Sequence, residues 1–205
     1  MKKLFLSSSF SDVIDIFVDF QKDLKGKSVT FIPTASIVEE VNFYVDLAKK
    51  DFQRLGLIVD ELEISTATSE EIESKLIKND FIYVSGGNTF FLLQELKRTG
   101  ADKIIVEEVK KGKLYIGESA GAIITSKNIE YAKEMDSIEE NINLKNFDAL
   151  NLVDFYLVPH YKNFPFEESV KKIIEIYSSK LFLKPISNNE VILINNNEFN
   201  IKSNL

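Results

Sequence analysis

Short uninterrupted apolar runs alternate along this chain with stretches in which apolar residues return every three or four positions. The first rhythm marks buried strands and the second amphipathic helices. Runs at Lys3–Ser7, Ser28–Ile32 (closed by Pro33), Leu57–Leu62, Phe81–Ser85, Lys113–Ile116 and Val153–Val158 predict strands. Helical spacing predicts a helix over Asp12–Leu24, with Val13, Ile16, Phe17 and Phe20 on one face. A longer one is predicted over Val38–Leu55, with Val41, Tyr44, Val45, Ala48, Phe52 and Leu55 inward and Gly56 as its stop. Ser69, followed by Glu70 and Glu71, reads as the cap of a helix reaching Lys78. Thr89–Arg98, Asp102–Lys111 and Phe166–Tyr177 are helical by the same spacing. Asn128 to Asn151 is polar and weakly periodic, an irregular excursion with room for short strands. Glu190–Ile194 and Glu198–Ile201 flank the turn-prone Asn195-Asn196-Asn197, which predicts a C-terminal β-hairpin.

Alternating strands and helices predict βαβ units, hence an α/β fold with a mostly parallel sheet and helices on both faces. No repeat or linker interrupts the pattern, so residues 1–205 are expected to form one domain. In such sheets the working groups collect beyond the carboxyl ends of the strands.

Composition narrows the chemistry. A 44% hydrophobic and 28% charged sequence belongs to a folded chain. With 32 acids against 25 Lys and Arg, the net charge of −7 disfavours a nucleic-acid partner. The absence of cysteine excludes disulfides, thiolate metal sites and thiol nucleophiles, and the single histidine excludes a two-histidine metal site within one chain. Met1-Lys2-Lys3 is basic, but Leu4-Phe5-Leu6 ends at Ser7-Ser8-Ser9. That run falls short of the roughly 7–15 apolar residues of a signal peptide and the 18 or so of a membrane helix. The expectation is a cytoplasmic protein with no membrane partner and no cofactor, working through hydroxyl and carboxylate groups.

Gly117-Glu118-Ser119-Ala120-Gly121 is a G-x-S-x-G sequence between an apolar strand and a helical stretch. A serine on that sharp turn has its hydroxyl pushed out of the sheet, which makes Ser119 a candidate nucleophile. The one imidazole, His160, follows the strand ending at Val158-Pro159 and is the candidate base. Glu134 and Asp136 lie between the two in the order Ser, acid, His; either could orient the imidazole, and the sequence does not choose between them. A tetrahedral oxyanion needs fixed donors. The Ala120 N–H is a natural one, and the Gly86-Gly87-Asn88 turn could supply another. Asn88 and Glu118 are candidate substrate-binding residues. Asn88 could equally cap the helix starting at Thr89, and Glu118 could receive a substrate's free amino terminus or lie in solvent.

These segments together resemble a known family. Ser85-Gly86-Gly87-Asn88-Thr89-Phe90, Gly117-Glu118-Ser119-Ala120-Gly121-Ala122, Phe147-Asp148-Ala149-Leu150-Asn151-Leu152 and Pro159-His160-Tyr161 look like the peptidase E family of serine peptidases. That family includes aspartyl dipeptidase and, more distantly, cyanophycinase. The resemblance implies a flavodoxin-like, three-layer α/β/α fold related to class I glutamine amidotransferases. It also implies Ser119 as nucleophile, His160 as general base, and the Gly87 and Ala120 N–H groups as oxyanion hole. The acid of its triad falls at Glu134, with Asp136 as second choice. Members that cut Asp-X dipeptides carry arginine shortly after the histidine, whereas this chain has Lys162-Asn163-Phe164-Pro165-Phe166 and no arginine after Arg98. An aspartyl preference is therefore not carried over.

The reading is a serine hydrolase of short peptides. The alternatives are a non-peptide amidase or esterase, and a binding domain without turnover on the same fold. Phe164 and Phe166 would line either the pocket or a subunit interface of a possible homodimer.

Overall fold

A computed structural model describes residues 2–138, 143–196 and 198–204. Parts of three expectations therefore lie outside the described residues: Met1 of the basic start, residues 139–142 of the polar excursion and Asn197 of the hairpin turn.

Seven of the eight predicted strands form one sheet. Strands β1 (Lys3–Ser7), β2 (Ser28–Ile32), β3 (Ile58–Glu61), β4 (Phe81–Val84) and β5 (Leu114–Glu118) run parallel in the order β3-β2-β4-β5-β1. The C-terminal hairpin completes the sheet beyond β1. Its first strand, Glu190–Asn195, lies antiparallel to β1, and its second, Glu198–Ser203, antiparallel to the first.

Alternation within each strand explains the layers. Leu4 and Leu6 of β1, Ile82 and Val84 of β4 and Tyr115 of β5 bury into one core. Phe5, Phe81, Tyr83, Leu114 and Ile116, from the intervening positions, bury into the other. Both faces are covered, which is why these strands are continuous apolar runs. The second core is covered by α1 (Ile14–Phe20) and α2 (Phe43–Arg54) and is rich in aromatic rings. Phe10 stacks on Phe52 at 4.5 Å and meets Tyr83 edge-on at 5.6 Å. Such pairs add about 0.5–1.5 kcal/mol each beyond burial. Helices α3 (Ser69–Lys78), α4 (Thr89–Thr99), α5 (Ala101–Lys110) and the short α6 (Ala120–Ile123) cover the first core. The fold is thus a three-layer α/β/α arrangement.

Several expected elements shift. The helix expected from Val38 begins only at Phe43, behind a 3-10 turn at Thr34–Ser36, and Val41 is exposed rather than inward. Thr68 rather than Ser69 caps α3, accepting the Glu71 N–H. The run from Val153 gives only β6 (Tyr156–Val158), which leaves the main sheet and pairs with β7 (Leu183–Pro185), a strand too short to stand out in the pattern. After β6 come α7 (Glu167–Tyr177), β7 and then the hairpin strands β8 (Glu190–Asn195) and β9 (Glu198–Ser203). Register draws the carboxyl ends together, with Ser7 of β1 opposite Glu118, and Val84 of β4 opposite Gly117.

Candidate active site

At the end of β5 the chain turns through Ser119 at φ 47° and ψ −108°, a conformation that L residues rarely adopt. Such strain costs on the order of 1–3 kcal/mol and persists only where neighbours hold it. Here the Ser119 N–H donates to the Ser7 carbonyl, while the Ser119 carbonyl accepts from Ala122 and Ile123, each at 2.9 Å. A Cβ on Gly121 would stand 2.2 Å from the Val84 carbonyl oxygen, so only glycine lets α6 start so close to β4.

The neighbouring loop after β4 is equally constrained. Gly87 has φ +129°, and a Cβ there would meet the Ala35 carbonyl oxygen at 2.2 Å. The Asn88 N–H donates to that same carbonyl at 2.8 Å. Gly86 brings this loop against the serine: a Cβ on it would lie 3.2 Å from Ser119 Cβ and 3.4 Å from the Tyr44 ring. Among the described residues neither the Gly87 nor the Ala120 N–H has a hydrogen-bond acceptor.

Ser119 Oγ lies 2.9 Å from His160 Nε2, so the structure brings together the two groups picked out by the sequence. His160 is itself at φ 61°, and its N–H donates to Ser8 Oγ. Its ring stacks on Phe166, with centroids 4.5 Å apart. Burial pushes the imidazole below its ordinary value of 6.5, with Asn188 pulling the other way. Phe164, named beside Phe166 in the sequence reading, is 88% exposed.

The expectations for Glu134, Asp136, Asn88 and Glu118 need correcting. His160 Nδ1 faces Asn188 Oδ1 at 2.8 Å, in the place expected for Glu134 or Asp136. Glu134 ends the 3-10 helix Glu130–Glu134, and the Asp136 carboxylate accepts from the Thr89 N–H and hydroxyl at the start of α4. Those bonds fix Asp136 on α4 rather than on the imidazole. Burial of its carboxyl pushes it up to about 6, against the pull of Thr89. Asn88 serves as the cap of α4: its oxygen accepts from Phe90 and Phe91, and its amide donates to the Ser137 carbonyl. Both ends of that side chain are engaged, which leaves it unsuited to the expected substrate contact.

Glu118 points away from the serine because successive strand residues face opposite sides. It is buried, accepting from the Phe10 N–H at 2.8 Å and from the Tyr83 hydroxyl. Burial pushes its carboxyl up to about 7, although both bonds oppose the shift. Glu118 therefore ties β4, β5 and the segment after β1 together beneath the site and is not a substrate contact. Tyr44, over Gly86, stays protonated: burial and then the charges of Glu39, Glu118 and Asp136 push its hydroxyl up.

Asn188 was hidden in the sequence. Ser187-Asn188-Asn189 reads as a turn before β8, and nothing in its spacing from His160 marks it. The structure places it through the Asn188 N–H bond to Asn163 Oδ1, while the Asn163 N–H holds the His160 carbonyl. Among the described residues no group of three or more His, Asp or Glu could hold a metal ion, and no helix is long and apolar enough to cross a membrane.

Comparisons with known proteins place the chain in a family. The sequence model of peptidase family S51 matches residues 4–202. The chain is 62% identical over 198 residues to the uncharacterized peptidase Lmo0363 of Listeria monocytogenes serovar 1/2a, covering 97% of each. It is 36% identical to peptidase E of Salmonella arizonae over 137 residues, 67% of this chain and 56% of that one. A crystal structure assigned to peptidase E of L. monocytogenes EGD-e superposes with a TM-score of 0.97 at 60% identity, covering 100% of both chains. A serine on a strained elbow, hydrogen-bonded to the one histidine, in a chain matched almost end to end, leads to one conclusion: the protein belongs to peptidase family S51 and is a serine-type peptidase.

Proposed function

We propose that the protein hydrolyses short peptides, including dipeptides, through an acyl-enzyme on Ser119. The observation that carries this reading is the 2.9 Å contact between Ser119 Oγ and His160 Nε2 at a strained turn. With the Asn188 amide oxygen facing Nδ1, that nitrogen carries the proton and Nε2 presents its lone pair to the serine hydroxyl. Ser119 Oγ attacks the scissile carbonyl as its proton passes to His160 Nε2. The tetrahedral oxyanion is held by the N–H groups of Gly87 and Ala120. The C–N bond then breaks, and His160 returns the proton to the leaving amine. A water, deprotonated by the same imidazole, attacks the ester, and its proton returns to Ser119.

Asn188 orients the ring without adding the negative charge of a carboxylate. The chain's two arginines, Arg54 and Arg98, pair with Asp51 and Glu95. Neither is free to hold a substrate side-chain carboxylate by a bidentate fork, which supports a preference other than aspartyl.

A mass-spectrometric screen of dipeptides and tripeptides with wild type and Ser119→Ala side by side tests the reading. Products from wild type alone are the expected result and identify the preferred residue. A folded wild type that cleaves none of them would overturn the short-peptide assignment.

A further inference from the structure

Strand β9 is an outer edge of the sheet, and all six of its residues, Glu198–Ser203, are exposed. Its register with β8 continues past the strand, where the Asn204 N–H donates to the Asn189 carbonyl at 2.8 Å. Amides alternate in direction along an antiparallel strand, so those of Asn200 and Lys202 also turn toward β8. The N–H and C=O groups of Phe199, Ile201 and Ser203 therefore point outward, where a further strand would meet them.

We propose that β9 is a dimerisation strand, pairing antiparallel with β9 of a second copy of this chain about a twofold axis at Asn200. The choice of register follows from the side chains. Residues pair only when both turn their amides outward or both inward, so a twofold pairing must be centred on a residue. Centred on Asn200, Glu198 lies opposite Lys202, Phe199 opposite Ile201, and Asn200 opposite itself. Every charged position meets its opposite, every apolar position meets an apolar one, and both relations occur twice. Phe199 and Ile201 exchange their outward backbone bonds with the same partners. Centring on Phe199 would set Glu198 against Asn200, and centring on Ile201 would set Lys202 against Asn200. Only the Asn200 register satisfies both charges.

The flanking surface suits the same partner. Phe199 is 38% exposed and Ile201 43%, on the side where Phe182 is 62% exposed. Phe155 meets Phe199 edge-on at 5.3 Å, and Lys184 Nζ lies 4.2 Å from the Phe182 ring and 5.3 Å from that of Phe199. A paired strand would lay the second copy's Ile201 on this aromatic strip. The opposite edge, β3, is occupied differently, with Asp60 and Glu61 in ion pairs with Lys75 and Lys49 of its own chain.

The test is sedimentation velocity on the full chain at concentrations up to about 100 μM, the range in which small interfaces associate. Wild type is expected to form a dimer. Glu198→Lys and Lys202→Glu should each weaken it at least about tenfold, because each turns two attractive pairs into two repulsive ones. The double variant, Glu198→Lys with Lys202→Glu, should regain wild-type affinity. Circular dichroism matching wild type would show that all three keep the fold. A monomeric wild type overturns the proposal, as do single reversals that dimerise normally or a double variant that stays weak.

Discussion

The Nδ1 atom of His160 lies 2.8 Å from the side-chain oxygen of Asn188, and among the described residues no acid takes that place. An amide fixes the ring but gives the imidazolium no countercharge. Asn188→Asp should therefore raise the pKa of His160 and move the acid limb of kcat/KM to higher pH. Asn188→Ala, which frees the ring, should lower kcat by about tenfold or more with little change in KM. A pH–rate profile of both variants decides this; unchanged profiles would show that Asn188 does not position the base.

For the wild type, the sign is opposite. His160 works as a base only when neutral, and burial lowers its pKa from 6.5. Activity should therefore persist below pH 6.5 before it falls. An acid limb centred above that value would contradict the burial of the base in the working enzyme.

Glu118 links stability to pH. Its carboxyl is raised from 4.5 to about 7 in the fold, so the folded chain keeps a proton that the unfolded chain releases. Stability from this group is full below pH 4.5 and is lost as the pH rises through about 7. Glu118→Gln should flatten that decline, measured by urea denaturation across the window. Glu118→Ala leaves the Tyr83 hydroxyl and the Phe10 N–H buried without their acceptor, and should cost about 2–4 kcal/mol. Equal losses for both variants at every pH would rule out this titration.

Gly87→Ala should be damaging in two ways. The new Cβ would collide with the Ala35 carbonyl oxygen, and φ +129° is unfavourable for alanine. Displacing the Gly87 N–H should cut kcat about 10²–10³-fold. Kinetics on the folded fraction of the variant separate that effect from lost stability; near-normal kcat would remove Gly87 from the oxyanion hole.

The sheet was legible because its strands are buried on both faces, as the unbroken runs at Leu4–Leu6 and Phe81–Val84 record. Ser119 and His160 were legible because a G-x-S-x-G turn and a lone histidine both sit at strand ends. What escaped depended on contacts between distant segments. Asn188 reaches His160 through the Asn163 bonds and the backbone bonds of Ile186 to Val158 and Tyr161, and Asp136 is fixed on α4 by Thr89. Glu118 stands beside the nucleophile in sequence, yet strand alternation sends its side chain to Phe10 and Tyr83. The exposed Val41 fits the period of α2 but precedes it, because the 3-10 turn at Thr34–Ser36 and the segment after it delay the helix to Phe43.

Covalent trapping shows whether Ser119 is the nucleophile. Wild type and Ser119→Ala would be treated with a fluorophosphonate and examined by intact-mass and peptide-mapping mass spectrometry. One adduct per chain is expected, on the peptide carrying Ser119, forming much more slowly in His160→Ala and not at all in Ser119→Ala. An adduct on another residue, or peptide turnover undiminished in Ser119→Ala, would contradict it.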